Sequence, residues 1–136
     1  MTQAKLFLLA ATFGLIPIAL GYGLMPEKSL LYLYGVSIEG TSHTHIMRAV
    51  MGLYLAMALF WFMGARAERL QTPAIMSLVV FMLGLAAGRI LSLAIDGMPH
   101  PLLAIYTLLE IVFGGLGLML LRNECSGACV QSAASK

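Results

Sequence analysis

An arginine and a glutamate occur inside segments that are otherwise apolar enough to cross a membrane. Arg89 lies in GLAAGRILSLAIDGMPHP (residues 84–101), and Glu110 ends YTLLE (residues 106–110). A charge at the bilayer centre costs about 3 kcal/mol on insertion scales, so each side chain needs a partner. At the helical rise per residue, Arg89 and Glu110 lie roughly 10 and 13 Å from the turn that separates them. We therefore predict that Arg89 faces Glu110.

Further polar side chains fall near the same level. Arg48 is one turn into the second apolar segment, Asp96 ends the third, and Tyr106 and Thr107 lie one turn before Glu110. Charged faces within a bilayer turn toward the bundle interior or a wet cavity. Because a guanidinium binds carboxylate or phosphate in a bidentate way, the arginines would hold an anionic group. We predict a polar pocket, open toward the outside, with these ligand-binding residues: Arg48, Arg89, Asp96, Tyr106, Thr107 and Glu110.

The same four charges have a purely structural interpretation. The two arginines Arg48 and Arg89 balance the two carboxylates Asp96 and Glu110 in number. Such a network would only fix the register of the helices, since desolvation opposes the Coulomb gain of buried ion pairs. Both interpretations stay open at this point.

The composition indicates that these residues lie in membrane-spanning helices. The chain has 136 residues, of which 60% are hydrophobic and 10% charged, and its mean hydropathy is +0.92. Soluble domains carry about 25% charged residues, and about 20 apolar residues cross a hydrocarbon core. We predict an all-α, integral membrane four-helix bundle over residues 1–123, followed by a flexible polar tail, 124–136. The expected spans are about 4–25, 43–64, 74–95 and 102–121.

The connections predict an orientation. The longest loop, 26–42, contains SLLYLYG, which we expect at the membrane interface with the rings of Tyr32 and Tyr34 in lipid and their hydroxyls in water. Four spans place both termini and the link 65–73 on one side. By the positive-inside rule this side is cytoplasmic. It collects most of the basic residues outside the spans: Lys5, Arg66, Arg69, Arg122 and Lys136.

Other motifs are weak. Three histidines lie at the predicted outer boundary: His43, His45 and His100. Asp96 or Glu39 would have to complete a metal site there, but no ligand spacing such as HExxH occurs. Cys125 and Cys129 lack further ligands and are expected to be free thiols in a reducing compartment. The sequence has no cluster of basic residues that could bind a nucleic-acid phosphate backbone. We expect no metal, no cofactor and no nucleic acid.

The leading hypothesis is a small membrane protein that binds a lipid-like or anionic molecule in the outer-half pocket. Its expected partners are membrane lipids and either further copies of itself or a larger membrane complex in which it is an accessory subunit. The sequence favours binding over catalysis, because it has no Ser–His–Asp spacing and no nucleotide-binding glycine loop. One alternative is a proton-linked carrier or membrane enzyme in which Glu110 titrates. Another is a purely structural membrane partner.

Three segments resemble the signature positions of a known family. RAVMGLYL (48–55), GRILSLAIDGMPHP (88–101) and YTLLE (106–110) are similar to those of small bacterial four-span membrane proteins grouped as domain of unknown function 4345. The resemblance covers nearly the whole chain except the cysteine tail. It implies a four-helix bundle in the bacterial inner membrane with a DoxX-like layout, and it implies no activity. The matching residues are Arg48, Gly52, Arg89, Asp96, Gly97, Pro99 and Glu110.

Overall fold

The computed structural model describes residues 2–37 and 40–134, with side chains described as far as residue 123. Within this part of the chain every regular element is a helix. The helices are α1 (Gln3–Gly23), α2 (Pro26–Tyr34), α3 (Thr41–Arg66), α4 (Glu68–Asp96) and α5 (Pro101–Ala134). The predicted all-α fold is confirmed.

Four helices are long and apolar enough to cross a membrane: α1, α3, α4 and the Pro101–Asn123 part of α5. They coincide with the four predicted spans, but α4 begins at Glu68 rather than near residue 74, so Ala67 alone separates it from α3. Two features permit this early start. The carboxylate of Glu68 in the first turn is favourable beside the helix dipole. Pro73 lies only one and a half turns into α4, where few backbone hydrogen bonds are at stake.

The predicted loop 26–42 contains a helix of its own. Pro26 occupies the first turn of α2, where its missing N–H costs nothing. Gly35 ends α2 with φ of 67°, a left-handed conformation that favours glycine. Its N–H donates to the carbonyl of Leu31, and that of Val36 to the carbonyl of Leu30. The segment is therefore a short, capped helix rather than an open loop.

The helices pack as neighbours in the order α1, α3, α4, α5. We call the end of the bundle that carries Lys5 and Glu68 the base, and the end that carries α2 and residues 97–100 the top. At the base, the Lys5 ammonium lies 3.3 Å from the Glu68 carboxylate. Gly64 of α3 lies directly against Ala74 of α4, and small residues allow such close approach of membrane helices.

The core is concentrated toward the base. The largest fully buried side chains are Trp61, Leu8, Ile75 and Leu78. The indole N–H of Trp61 donates to the Ser77 hydroxyl at 3.1 Å, which satisfies the polar edge of a buried ring. The base of the bundle is thus closely packed, and open space is left for the half nearer the top.

The close approach of α3 and α4 at Gly64 generates a prediction for stability. A Cβ at Gly64 would overlap the side chain of Ala74 and approach the carbonyl oxygen of Leu70 to 3.1 Å. We expect Gly64→Ala to lower the free energy of unfolding by about 1–3 kcal/mol, because overpacking forces the two helices apart. Thermal unfolding of the detergent-solubilised protein, followed by circular dichroism, measures the change.

Gly84→Ala is the matched control, since a Cβ at Gly84 meets no atom within 4 Å. It should leave stability unchanged, or raise it by up to about 1 kcal/mol through helix propensity. Equal effects of the two substitutions would contradict the proposed role of Gly64.

Candidate functional site

The ion pair predicted between the third and fourth spans is present. The Nε–H of Arg89 donates to both carboxylate oxygens of Glu110, at 2.9 and 3.1 Å. The Glu110 side chain is only 8% exposed and that of Arg89 22% exposed, so the pair is largely enclosed. The prediction that these two residues face each other is confirmed.

A cluster of tyrosines adjoins the ion pair on its top side. The Arg89 guanidinium carbon lies 5.9 Å from the centre of the Tyr106 ring, within the range of a cation–π contact. Tyr34 packs edge-on against Tyr106, at 6.4 Å between ring centres, and stacks on Tyr22 at 6.3 Å. Tyr54 meets Tyr22 edge-on at 5.9 Å. Residues of α1, α2, α3 and α5 therefore meet around Arg89.

The placement of Tyr34 corrects one prediction. Tyr32 is 90% exposed, as expected at an interface, but Tyr34 is only 8% exposed. Residues two apart lie on nearly opposite faces of a helix, so α2 cannot present both rings to the same surroundings. Burial raises the pKa of the Tyr34 hydroxyl, and the nearby Tyr22 and Tyr106 add to this effect. The hydroxyl stays protonated, and α2 covers the top of the site.

A cavity of about 110 Å³ lies beside the ion pair. All four spans contribute to its wall, which is largely apolar: Gly14 from α1, Tyr54 from α3, Leu85 from α4 and Leu109 from α5. On the base side the wall includes Phe113, whose ring stacks on Phe7 at 5.7 Å between centres. The charged end of the cavity is formed by Arg89 and Glu110.

The cavity reaches the side of the bundle between α1 and α5. Ala10, Gly14 and Leu109 line it and are themselves exposed. A Cβ at Gly14 would meet no atom within 4 Å, so the space in front of this residue is open. The backbones of α1 and α5 also approach each other less than those of α1 and α3 or of α4 and α5. An opening at this place would face the lipid of a bilayer, whereas the expected pocket opened toward the outside.

Arg89 also borders a second cavity, of about 230 Å³, near the top between α4 and α5. Thr107 lines it, and its hydroxyl donates to the carbonyl of Leu103 at 3.0 Å. Ser92 lines it as well and donates to the carboxylate of Asp96 at 2.7 Å. The guanidinium thus forms part of the wall between two cavities of different character.

The predicted site residues fall into separate groups. Arg89, Tyr106 and Glu110 line the first cavity, and Thr107 lines the second. Asp96 is exposed and accepts its hydrogen bond from Ser92. Arg48 is exposed and is not among the residues that line either cavity.

The position of Arg48 follows from the helix period. The first buried residue of α3 after Arg48 is Tyr54, which marks the inward face of the helix. Six residues at about 100° each place Arg48 roughly 120° away from that face. Near a helix end, a long arginine side chain extends toward the interface.

Sequence reasoning missed Gly14, Tyr22 and Tyr54 as neighbours of the site. The tyrosines carried one available signal, since a hydroxyl on a span needs a polar partner. The open space at Gly14 depends on the separation of α1 and α5, which has no local signature.

The chain also has His, Asp, Glu and Cys side chains of the kinds that bind metals. Among the residues that the structure describes, no three His, Cys, Asp or Glu side chains come together. Glu39 and the side chains of the tail 124–136, including Cys125 and Cys129, lie outside the described residues. Their predicted roles, and the predicted flexibility of the tail, stay predictions.

The burial of the ion pair generates a prediction for stability. Arg89→Met leaves the Glu110 carboxylate enclosed without its cation, and we expect a loss of about 3–5 kcal/mol. The double variant Arg89→Met/Glu110→Leu should lose less than the single one, because it removes both buried charges. Thermal unfolding in one detergent measures all variants.

Lys5→Met is the control, because it breaks the ion pair to Glu68, whose side chain is 85% exposed. Its effect should stay below about 1 kcal/mol. A double variant less stable than Arg89→Met would contradict the account of an unpaired buried charge.

Comparison with known proteins adds a family. Residues 3–121 match the family described as Domain of unknown function (DUF4345), a range that includes all four spans. No curated protein and no solved structure matches the chain. The family expected from the residues around Arg48, Arg89 and Glu110 is confirmed over most of the chain. This multi-span membrane protein belongs to the DUF4345 family.

Proposed function

We propose that the protein binds a lipid-like molecule inside the membrane. The apolar part of the ligand lies in the cavity between α1 and α5, and its polar head lies beside Arg89, Glu110 and the tyrosines. The observation that carries this proposal is an apolar cavity that meets the side of the bundle and ends at an enclosed ion pair.

The direction of access supports a ligand dissolved in the bilayer. Ala10, Gly14 and Leu109 form the exposed rim of the cavity on the sides of two spans. A ligand coming from water at the top would have to pass α2, whose Tyr34 is buried against Tyr106. Burial of apolar surface against apolar walls contributes about 25 cal/mol of favourable free energy per Å² removed from water.

The head-group end offers hydrogen-bonding groups. Both bonds from Arg89 to Glu110 are donated by Nε. The two terminal amino groups of the guanidinium are therefore not engaged in these bonds, and an arginine has five N–H donors in all. The hydroxyl groups of Tyr54 and Tyr106, both residues of the cavity wall, both donate and accept.

We further propose that the protein lies in the bacterial inner membrane, has both termini in the cytoplasm and serves a larger complex as an accessory subunit. The basic residues Lys5, Arg66 and Arg69 support this orientation, because they share the base of the bundle. An accessory role suits a cavity whose charged groups already neutralise each other. Such a cavity can hold a ligand for another subunit to act on.

Filling the cavity tests the proposed binding. Gly14→Leu places a side chain in open space on the cavity wall, so it should occupy the cavity without disturbing the packing of the helices. After purification from membranes in mild detergent, we expect the variant to retain about tenfold less lipid than the wild type. A tenfold weaker affinity corresponds to about 1.4 kcal/mol. Native mass spectrometry measures the retained molecules.

Gly52→Leu is the matched control, since Gly52 also lies in open space on an exposed helix face but is not among the residues lining the cavity. It should retain lipid like the wild type. If all three proteins retain the same amount of lipid, the proposed site is wrong. If both variants lose lipid equally, the retained lipid is not in the cavity.

The orientation has a test of its own. In intact bacterial cells, a maleimide that cannot cross the inner membrane should leave the native Cys125 and Cys129 unlabelled. With these two cysteines changed to serine, Ser37→Cys in the connection after α2 should be labelled. Labelling in the opposite pattern would place the termini outside.

A further inference from the structure

We infer that the site selects an amphiphile whose head group is uncharged and carries a hydroxyl or carbonyl, in preference to an anionic one. This inference deepens the proposed function and rests on it. It departs from the expectation, drawn from the sequence, that arginines would hold an anion.

The charges of the site balance each other. The charged side chains in the wall of the first cavity are Arg89 and Glu110, and they carry opposite charges in direct contact. The second arginine expected to hold an anion, Arg48, is exposed on another face of its helix. The cavity therefore presents a guanidinium whose charge is already neutralised.

The carboxylate of Glu110 lies directly beside the guanidinium. Both oxygens of Glu110 lie within 3.1 Å of Arg89 Nε. Because a guanidinium is small and planar, an anion bound to its terminal amino groups would lie only a few ångströms from the carboxylate. In surroundings of low dielectric constant, this repulsion offsets much of the attraction to the arginine. The anion would also have lost its hydration.

The site has hydrogen-bonding groups that suit a neutral head group. The terminal N–H groups of Arg89 can donate to a carbonyl or hydroxyl oxygen beside their interaction with Tyr22, and the hydroxyl of Tyr54 can donate or accept. A neutral head group gains these hydrogen bonds without adding a net charge to the enclosed site. The remaining wall, including Leu85 and Phe113, is apolar and suits the attached chain.

Two probes of equal chain length separate the head groups. 1-Hexadecanol carries a neutral hydroxyl, and hexadecanesulfonate carries a negative charge at any ordinary pH. The full-length protein, freed of lipid in mild detergent, is titrated with each, and native mass spectrometry reports the bound fraction. We expect the wild type to bind the alcohol at least roughly tenfold more tightly than the sulfonate.

A charge-altering variant sharpens the test. Glu110→Gln leaves Arg89 without its counter-ion, and the preference should reverse toward the sulfonate. Arg89→Gln/Glu110→Gln restores a neutral site, and the preference for the sulfonate should disappear. Glu27→Gln makes the same chemical change at an exposed position of α2 and should behave like the wild type.

The outcomes distinguish the two proposals. A wild type that binds the sulfonate as tightly as the alcohol, or more tightly, overturns the inference about the head group and leaves the lipid site intact. If neither probe binds, or if Gly14→Leu binds both as the wild type does, the proposed function itself fails. The comparison of the two probes on the wild type decides the inference even if Glu110→Gln does not fold.

Discussion

The contact between Arg89 and Glu110 constrains the upper half of the molecule. Either charge alone would be costly within a bilayer, so α4 and α5 must adopt the register that brings them together. The connection between these helices is short, residues 97–100, and Gly97 turns it with φ of 91°. The turn and the ion pair, which lies roughly two to three helical turns from it, hold α4 and α5 in one register, and α3 packs against α4.

The unequal packing of the bundle follows from where its small residues lie. Near the base, Gly64 and Ala74 bring α3 and α4 together, and Gly117 gives α5 room beside Val79 of α4. Higher up, Gly14 is also small, but no helix fills the space in front of it. A glycine thus has opposite consequences at the two levels, since close approach requires a partner whose own side chains fit. The cavity between α1 and α5 is the result.

The residues differ in how far their positions could be predicted from the sequence. The four spans follow from the length of the apolar segments. The facing of Arg89 and Glu110 follows from their depth, because both side chains are counted from one short turn. Their neighbours depend on rotation about the helix axis instead. Arg48 is exposed and lines neither cavity, a result of its rotation about the axis of α3. Tyr34 is buried and Tyr32 exposed because the segment that contains them is a helix. The side opening of the cavity depends on α1 and α5, which are distant in sequence, so no local pattern encodes it.

The same ion pair that satisfies the fold also limits the chemistry of the cavity. A lone guanidinium in such a place would attract anions, but it would be too costly to bury without the carboxylate. Once Glu110 is present, the long-range attraction is cancelled and only the directional hydrogen bonds of the remaining N–H groups are left. Those bonds distinguish ligands by shape and by the placement of an oxygen atom. Stability within the bilayer and the proposed preference for an uncharged head group therefore have one cause, the direct contact between Arg89 and Glu110.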